Sequence, residues 1–235
     1  MTARYAIYYV PSPGSLVLGI AQRWLGRDVY SGCEISARDY LGLDPDDVLK
    51  LTESAAHYGF HATLKAPFEL KRGCQEEEIL AAAEALASEL RPAFPRLSVG
   101  ALGEFLALLP DDGQDDIWEI HHACLEHFEP FRARLSTADR ARRMRAPLDK
   151  RQVKALTKYG YPYVLEDFRF HMTLTHRISN PIRLAHVRDA LHEAFLCALN
   201  ERQAIDAVCV LRQGDRQQRF VVLERFQFTA DTEVA

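Results

Sequence analysis

Residues 60–68 read FHATLKAPF and residues 170–178 read FHMTLTHRI. Both open on Phe-His-x-Thr-Leu, with His61 and Thr63 in the first copy and His171 and Thr173 in the second. A strand sends successive side chains to opposite faces. On that rule His61, Thr63 and Lys65 share one face, against Ala62, Leu64 and Ala66 on the other. In the second copy His171, Thr173 and Thr175 oppose Phe170, Met172 and Leu174. Each strand would then have an apolar side for a core and a side bearing imidazole and hydroxyl groups. Two such strands on one cleft would bring two imidazoles and two hydroxyls together, which suits acid/base work on a phosphate ester.

The rest of the composition narrows the class. The chain has 235 residues, 48% of them apolar and 26% charged, as expected of a globular protein that is one large domain or two small lobes. A net charge of −4 argues against a general nucleic-acid binder. There is no apolar run of transmembrane length and no cationic-apolar leader at the start, so a cytoplasmic protein is expected. The five cysteines are scattered, odd in number and without CxxC spacing, and read as reduced thiols. P-loop, GxGxxG and GxSxG patterns are all missing.

Outward from the two motifs, propensity and punctuation give an element order. Residues 4–10 read as a strand stopped by Pro11, and 15–25 as a short helix ending near Gly26. DPDD at 44–47 starts a helix. Residues 75–91 form the clearest helix, acidic in its first turn and followed by Pro92. Residues 96–109 read as a strand broken by Gly100 and Gly103, and 117–135 as a helix that Pro130 breaks. The basic stretch 137–158 is partly helical. The second motif strand spans 168–178, a helix comes next over 182–200, and 204–212 and 219–228 are strands around the turn QGDRQ. The succession motif strand, helix, strand occurs at 60–109 and again at 168–212, which predicts a duplicated unit with two facing motifs. The segment 136–158 is the expected connection between lobes.

Further candidates surround the motifs. Lys65 would meet a phosphate as a point charge; the plainer reading is a solvated strand-end lysine. Arg169, two residues before His171, shares its predicted face and could grip phosphate as a fork. Thr175 extends the same face. Tyr58, Tyr159, Tyr161 and Tyr163 could stack on a base or ribose, although core packing is the commoner use of tyrosine. Arg132, Arg134, Arg140, Arg142, Arg143 and Arg145 form a basic run, read either as a solvated helix face or as a phosphate-steering rim led by Arg132. His121, His122, Cys124 and His127 have neither the spacing nor a second cluster for a zinc site, so no metal and no cofactor is expected.

The paired motifs resemble those of the two-histidine phosphoesterase superfamily, whose signature is a His-x-Thr/Ser-apolar motif on each of two lobes. More narrowly, YGFHATLKAPF at 58–68, FRARLSTADRARR at 131–143 and GYPYVLEDFRFHMTLTH at 160–176 resemble a bacterial branch associated with phosphonate-utilisation operons. RYAIYYVP at 4–11 and WLGRD at 24–28 extend that resemblance over most of the chain. It implies an α+β fold: one bilobal domain over residues 1–235, with motif lobes at about 55–135 and 160–230 and two antiparallel sheets flanking a central cleft, helices outside. It also implies metal-free hydrolysis of a cyclic phosphodiester. His61 and His171 would be general acid and base in an order the sequence leaves open, and Thr63 and Thr173 would steady the phosphoryl oxygens. Lys65, Arg169, Thr175 and Arg132 stand as substrate-binding candidates. The expected partner is a small phosphorylated sugar or nucleotide, phosphoribosyl 1,2-cyclic phosphate in the phosphonate-linked branch, with no membrane and no large nucleic acid involved. An RNA-end or 2′-5′ RNA-processing enzyme and a non-catalytic nucleotide-binding module are the competing readings. The oligomeric state is not legible.

Overall fold

The computed structural model describes residues 3–230. Its strands are β1 (Arg4–Tyr9), β2 (Ala62–Glu69), β3 (Leu97–Leu102), β4 (Phe105–Pro110), β5 (Met172–Thr173), β6 (Ala207–Gln213) and β7 (Val221–Gln227). Its α-helices are α1 (Leu16–Leu25), α2 (Pro45–Tyr58), α3 (Glu76–Glu89), α4 (Gln114–His127), α5 (Thr137–Arg143), α6 (Lys150–Tyr159) and α7 (Pro181–Phe195). The fold is mixed α+β, as the sequence predicts. The two expected sheets are one, however: all seven strands join in the order β3-β4-β5-β2-β1-β6-β7, every pair antiparallel. The join is short. β5 is two residues long, and its pairing with β2 is the single register Ala62↔Met172.

Local chemistry explains the elements. β1 lies between β2 and β6 and is buried along almost its whole length, so RYAIYY reads as an unbroken apolar run rather than an alternating one. Asp44 caps α2 by accepting from the Asp47 N–H, and Pro45 sits at the first helical position, where no N–H is needed. Gln75 and Glu78 close a capping box on α3. Residues 96–109 are a hairpin rather than one broken strand. Gly103, at φ +63°, makes the turn, whereas Gly100 lies inside β3 opposite Ala107, where a Cβ would come within 2.8 Å of Leu109.

Each motif strand is succeeded by a helix and then a hairpin: β2, α3, β3–β4, and β5, α7, β6–β7. The hairpins change sides. β3–β4 lies next to β5, and β6–β7 lies beyond β1 on the β2 side. The helices go with them, α3 packing on β6 and β7 and α7 on β3 and β4. The segment predicted to link lobes carries α5 and α6, and α4 packs on β2.

Candidate active site

The register Ala62↔Met172 organises the site. Continued by one residue, it sets His61 opposite Thr173 and Thr63 opposite His171, and alternation turns all four to the same face. All four line one cavity of about 590 Å³. The other face is core: Ala62, Leu64, Met172 and Leu174 are fully buried.

Both imidazoles are held in the same way. His61 Nδ1–H donates to the Gly59 carbonyl at 2.8 Å, and His171 Nδ1–H donates to the Arg169 carbonyl at 2.7 Å. A carbonyl can only accept, so Nδ1 carries the proton and each neutral ring keeps its lone pair on Nε2. His61 Nε2 lies 3.2 Å from Thr63 Oγ1. Tyr8 stacks on the His61 ring at 3.8 Å and shares a hydrogen bond with Thr63. Phe105 meets the edge of His171. Gly59 has φ +78°, and a Cβ there would fall 2.4 Å from Val29, so only glycine places this carbonyl.

Burial lowers the basicity of both rings. His61 is pushed down to about 4, chiefly by desolvation and further by the charge of His171, with the bond to Gly59 acting against the shift. His171 is lowered by desolvation, opposed by its bond to Arg169. In the free protein at pH 7 both rings are therefore predominantly neutral.

The remaining sequence candidates divide. Lys65 does not face the cavity. Register slips between β1 and β2, from Tyr8↔Thr63 to Ile7↔Lys65 and then to Tyr5↔Phe68, so bulged residues on β2 reverse the alternation after Thr63. Ala66 and Pro67 take the cavity face, and Lys65 turns away to donate to the Leu125 carbonyl (2.8 Å) and to Glu129 (2.9 Å). Arg132 grips the same Glu129 at 2.6 Å and donates to the Ala133 and Lys158 carbonyls, so it ties the 129–133 turn to α6 instead of forming a rim. Thr175 is buried and accepts from the Leu106 N–H at 3.0 Å, which pins the second motif to β4. Trp24 does similar work by donating to the Leu174 carbonyl. Arg169 folds back on the Glu166 and Phe168 carbonyls and borders a second recess of about 340 Å³ beside His171, where Phe105, Phe168, Tyr161 and Tyr163 gather.

His121, a metal-ligand candidate by residue type alone, bridges the two motif segments. Its Nδ1–H donates to the Leu64 carbonyl, its Nε2 accepts from the Leu165 N–H, and its ring lies flat on Phe168 at 3.8 Å. His127 is bonded to the Ala82 carbonyl. Among the described residues no group of three His, Cys, Asp or Glu side chains converges as a metal site would require.

The cationic wall of the cavity consists of Arg4, Arg142, Arg143 and Arg216. Sequence reading caught Arg142 and Arg143 as part of the basic run but missed Arg4, Arg216, Tyr8 and His57. Arg4 opens an otherwise apolar strand, a signal that could have singled it out. Arg216 sits in the β6–β7 turn, where an arginine attracts no notice.

The chain belongs to the family described as "Protein of unknown function (DUF1045)", whose model matches residues 63–221. It is 35% identical over 236 residues to a protein of Janthinobacterium sp. (strain Marseille) named ribose 1,5-bisphosphate phosphokinase PhnN, covering 99% of this chain and 52% of that protein. A protein of the same name from Laribacter hongkongensis (strain HLHK9) is 33% identical over 176 residues, 74% of this chain and 40% of that one. The chain thus spans about half the length, or less, of these curated relatives. The crystal structure of ATU0111, a conserved protein of unknown function from Agrobacterium tumefaciens str. C58, aligns with a TM-score of 0.45 at 14% identity, over 97% of this chain and 87% of that one. Among the described residues no helix is long and apolar enough to cross a membrane.

Proposed function

We propose that this chain is a two-histidine cyclic phosphodiesterase, built from two related halves, that opens a small ribose cyclic phosphate. The observation that carries the proposal is the pair of His-x-Thr segments on one cavity, each Nδ1 tied to a carbonyl so that each neutral ring keeps its lone pair on Nε2. His61, with the value pushed down to about 4, is the base. Its Nε2 takes a proton from water as the water oxygen bonds to phosphorus. The bond from phosphorus to one ring oxygen breaks, and His171, protonated once the anionic substrate is bound, returns a proton to that oxygen. Thr63 and Thr173 donate to the non-bridging oxygens as negative charge grows there. Both proton transfers fall to imidazoles, so the mechanism calls for no metal.

The substrate we assign is phosphoribosyl 1,2-cyclic phosphate, in keeping with the resemblance to the phosphonate-associated branch. Breaking its bond from phosphorus to O2 leaves the phosphate on C1, which is ribose 1,5-bisphosphate, the compound in the name of the two curated relatives. The kinase activity in that name we assign to the part of those proteins that this chain does not cover. The present 235 residues contain no GxxxxGK[ST] loop to hold a nucleoside triphosphate. The aromatic recess beside His171 favours a second reading, a 2′,3′-cyclic nucleotide whose base stacks there.

The test is hydrolysis of both compounds by the purified chain, with products identified by phosphorus NMR. Ribose 1,5-bisphosphate formed at the higher kcat/KM is the expected result. Faster turnover of 2′,3′-cyclic AMP would move the assignment to RNA ends. Binding of either compound without turnover would reduce the chain to a binding module.

A further inference from the structure

The cavity extends well past the two histidines, and its far end is unevenly charged. Arg142 and Arg216 both pair with Asp139, at 2.7 Å each, and Arg216 also reaches Glu69. Arg4 and Arg143 have no such partner: among the described residues neither makes an ion pair. Arg4 donates to the neutral amide oxygen of Gln213 and lies over Phe220. Arg143 lies over the Tyr161 ring at 5.0 Å, reaches the Pro67 carbonyl only at 3.5 Å, and has a buried Nε with no acceptor. Asp139 lends Arg143 a nearby negative charge without an ion pair, and Arg4 stands opposite Glu69 in the β1–β2 register. Two half-buried guanidinium groups, one of them short of acceptors, are still costly unless an anion completes them.

These groups come from three separate parts of the chain: Arg4 from the start of β1, Arg143 from the end of α5, and Arg216 from the β6–β7 turn. On β1, Arg4 lies four residues from Tyr8, the residue stacked on His61, so the arginine end is displaced along the strand from the reacting centre. The geometry points to a second anion subsite, made by Arg4 and Arg143 with Arg142 and Arg216 behind them, that takes a phosphomonoester on the same substrate whose cyclic phosphate meets His61 and His171. This subsite rests on the reading of the substrate as a ribose cyclic phosphate, and it makes the 5-phosphate the group that selects the substrate. Guanidinium groups suit a terminal phosphate because their donors match its oxygens in pairs.

Two readouts separate this subsite from the phosphodiesterase reading. In turnover, kcat/KM is compared for phosphoribosyl 1,2-cyclic phosphate and ribose 1,2-cyclic phosphate. The wild type should prefer the phosphorylated compound, and Arg4→Gln and Arg143→Gln should each erode that preference by on the order of ten- to a hundredfold, mainly through KM. The compound without the 5-phosphate should change little. In calorimetry, ribose 5-phosphate should bind the wild type, and each variant should bind it at least about tenfold more weakly. Equal turnover of the two compounds by the wild type, or an equal loss on both in the variants, would overturn the subsite and leave the two-histidine chemistry intact. If neither compound is hydrolysed, the phosphodiesterase reading fails, and the calorimetry still decides the subsite: unchanged affinity in both variants rejects it. Circular dichroism of each variant guards against loss of fold.

Discussion

Ala62 and Met172 face each other across the one pairing that joins β2 to β5. Neither residue has chemistry of its own, and both are fully buried. Their register nevertheless sets each histidine across from the threonine of the other motif, so the two halves of the site complete one another. A slip of one residue on either strand would send one histidine into the core.

In the proposed mechanism the two histidines act in one reaction with opposite roles. His61→Ala and His171→Ala should each lower kcat by roughly 10²–10⁴-fold, and the double variant should lose far less than the product. The free-enzyme profile of kcat/KM against pH should be bell-shaped. The base must be neutral, so activity should rise through His61's value of about 4, and this acidic limb should vanish in His61→Ala. Loss of the alkaline limb in His61→Ala instead would exchange the roles of the two rings.

Lys65 is expected to matter for folding rather than for substrate. It is almost wholly buried, and Glu129 stands between it and Arg132. Lys65→Ala should cost on the order of 1–3 kcal/mol of unfolding free energy, since the Leu125 carbonyl loses a buried charged donor while Glu129 keeps only Arg132. Assayed on folded protein, its KM should be close to that of the wild type. A raised KM with unchanged denaturant midpoint would return Lys65 to the cavity.

The sequence revealed the motif residues and most elements because those depend on local rules: alternation, caps and turn residues. It misplaced Lys65 because the slip between Thr63 and Lys65 is set by pairing with β1, a strand more than fifty residues earlier. It overextended the second motif strand because only Met172 and Thr173 pair in register, whereas the Leu174 and Thr175 N–H groups both converge on the single Leu106 carbonyl and side-chain bonds hold the rest, from Trp24 to the Leu174 carbonyl and from the Leu106 N–H to the Thr175 hydroxyl. It divided the sheet in two because a join one register wide leaves no trace in composition. Arg4 and Arg216 escaped notice because their proximity to Arg143 is a product of topology.

Acid should loosen the fold through its buried histidines, with His61 and His121 foremost and His57 and His171 shifted in the same direction. His61 and His121 are each held at about 4 by burial, against an ordinary 6.5 when unfolded. Below 6.5 the unfolded chain therefore binds more protons than the native one, so stability is full above that pH and falls as pH drops toward 4. Urea midpoints measured from pH 7.5 to 4.5 should decline. His121→Asn keeps a donor for the Leu64 carbonyl but cannot titrate. It should be less stable at pH 7, having lost the stack on Phe168, and less sensitive to acid. An equally steep decline in this variant would put the acid lability elsewhere.

The two threonines should act on the chemical step. Thr63 is engaged in the free protein with His61 and Tyr8, and must turn a donor toward phosphate as charge develops. Thr173 lies on the same cavity, across from His61 by register. Thr63→Val and Thr173→Val keep the β-branched shape that suits a strand but remove the donor. Each should reduce kcat by about tenfold to a hundredfold while KM moves less than about threefold, because a donor that serves the transition state contributes little to ground-state binding. Serine at either position should restore most of the rate. Because Thr63 also contacts the Nε2 of the base, Thr63→Val should in addition shift the acidic limb of the pH profile, whereas Thr173→Val should leave it in place. If both variants raise KM at constant kcat, the hydroxyls hold the substrate before reaction, and the charge on the phosphoryl oxygens must be met by other groups of the cavity.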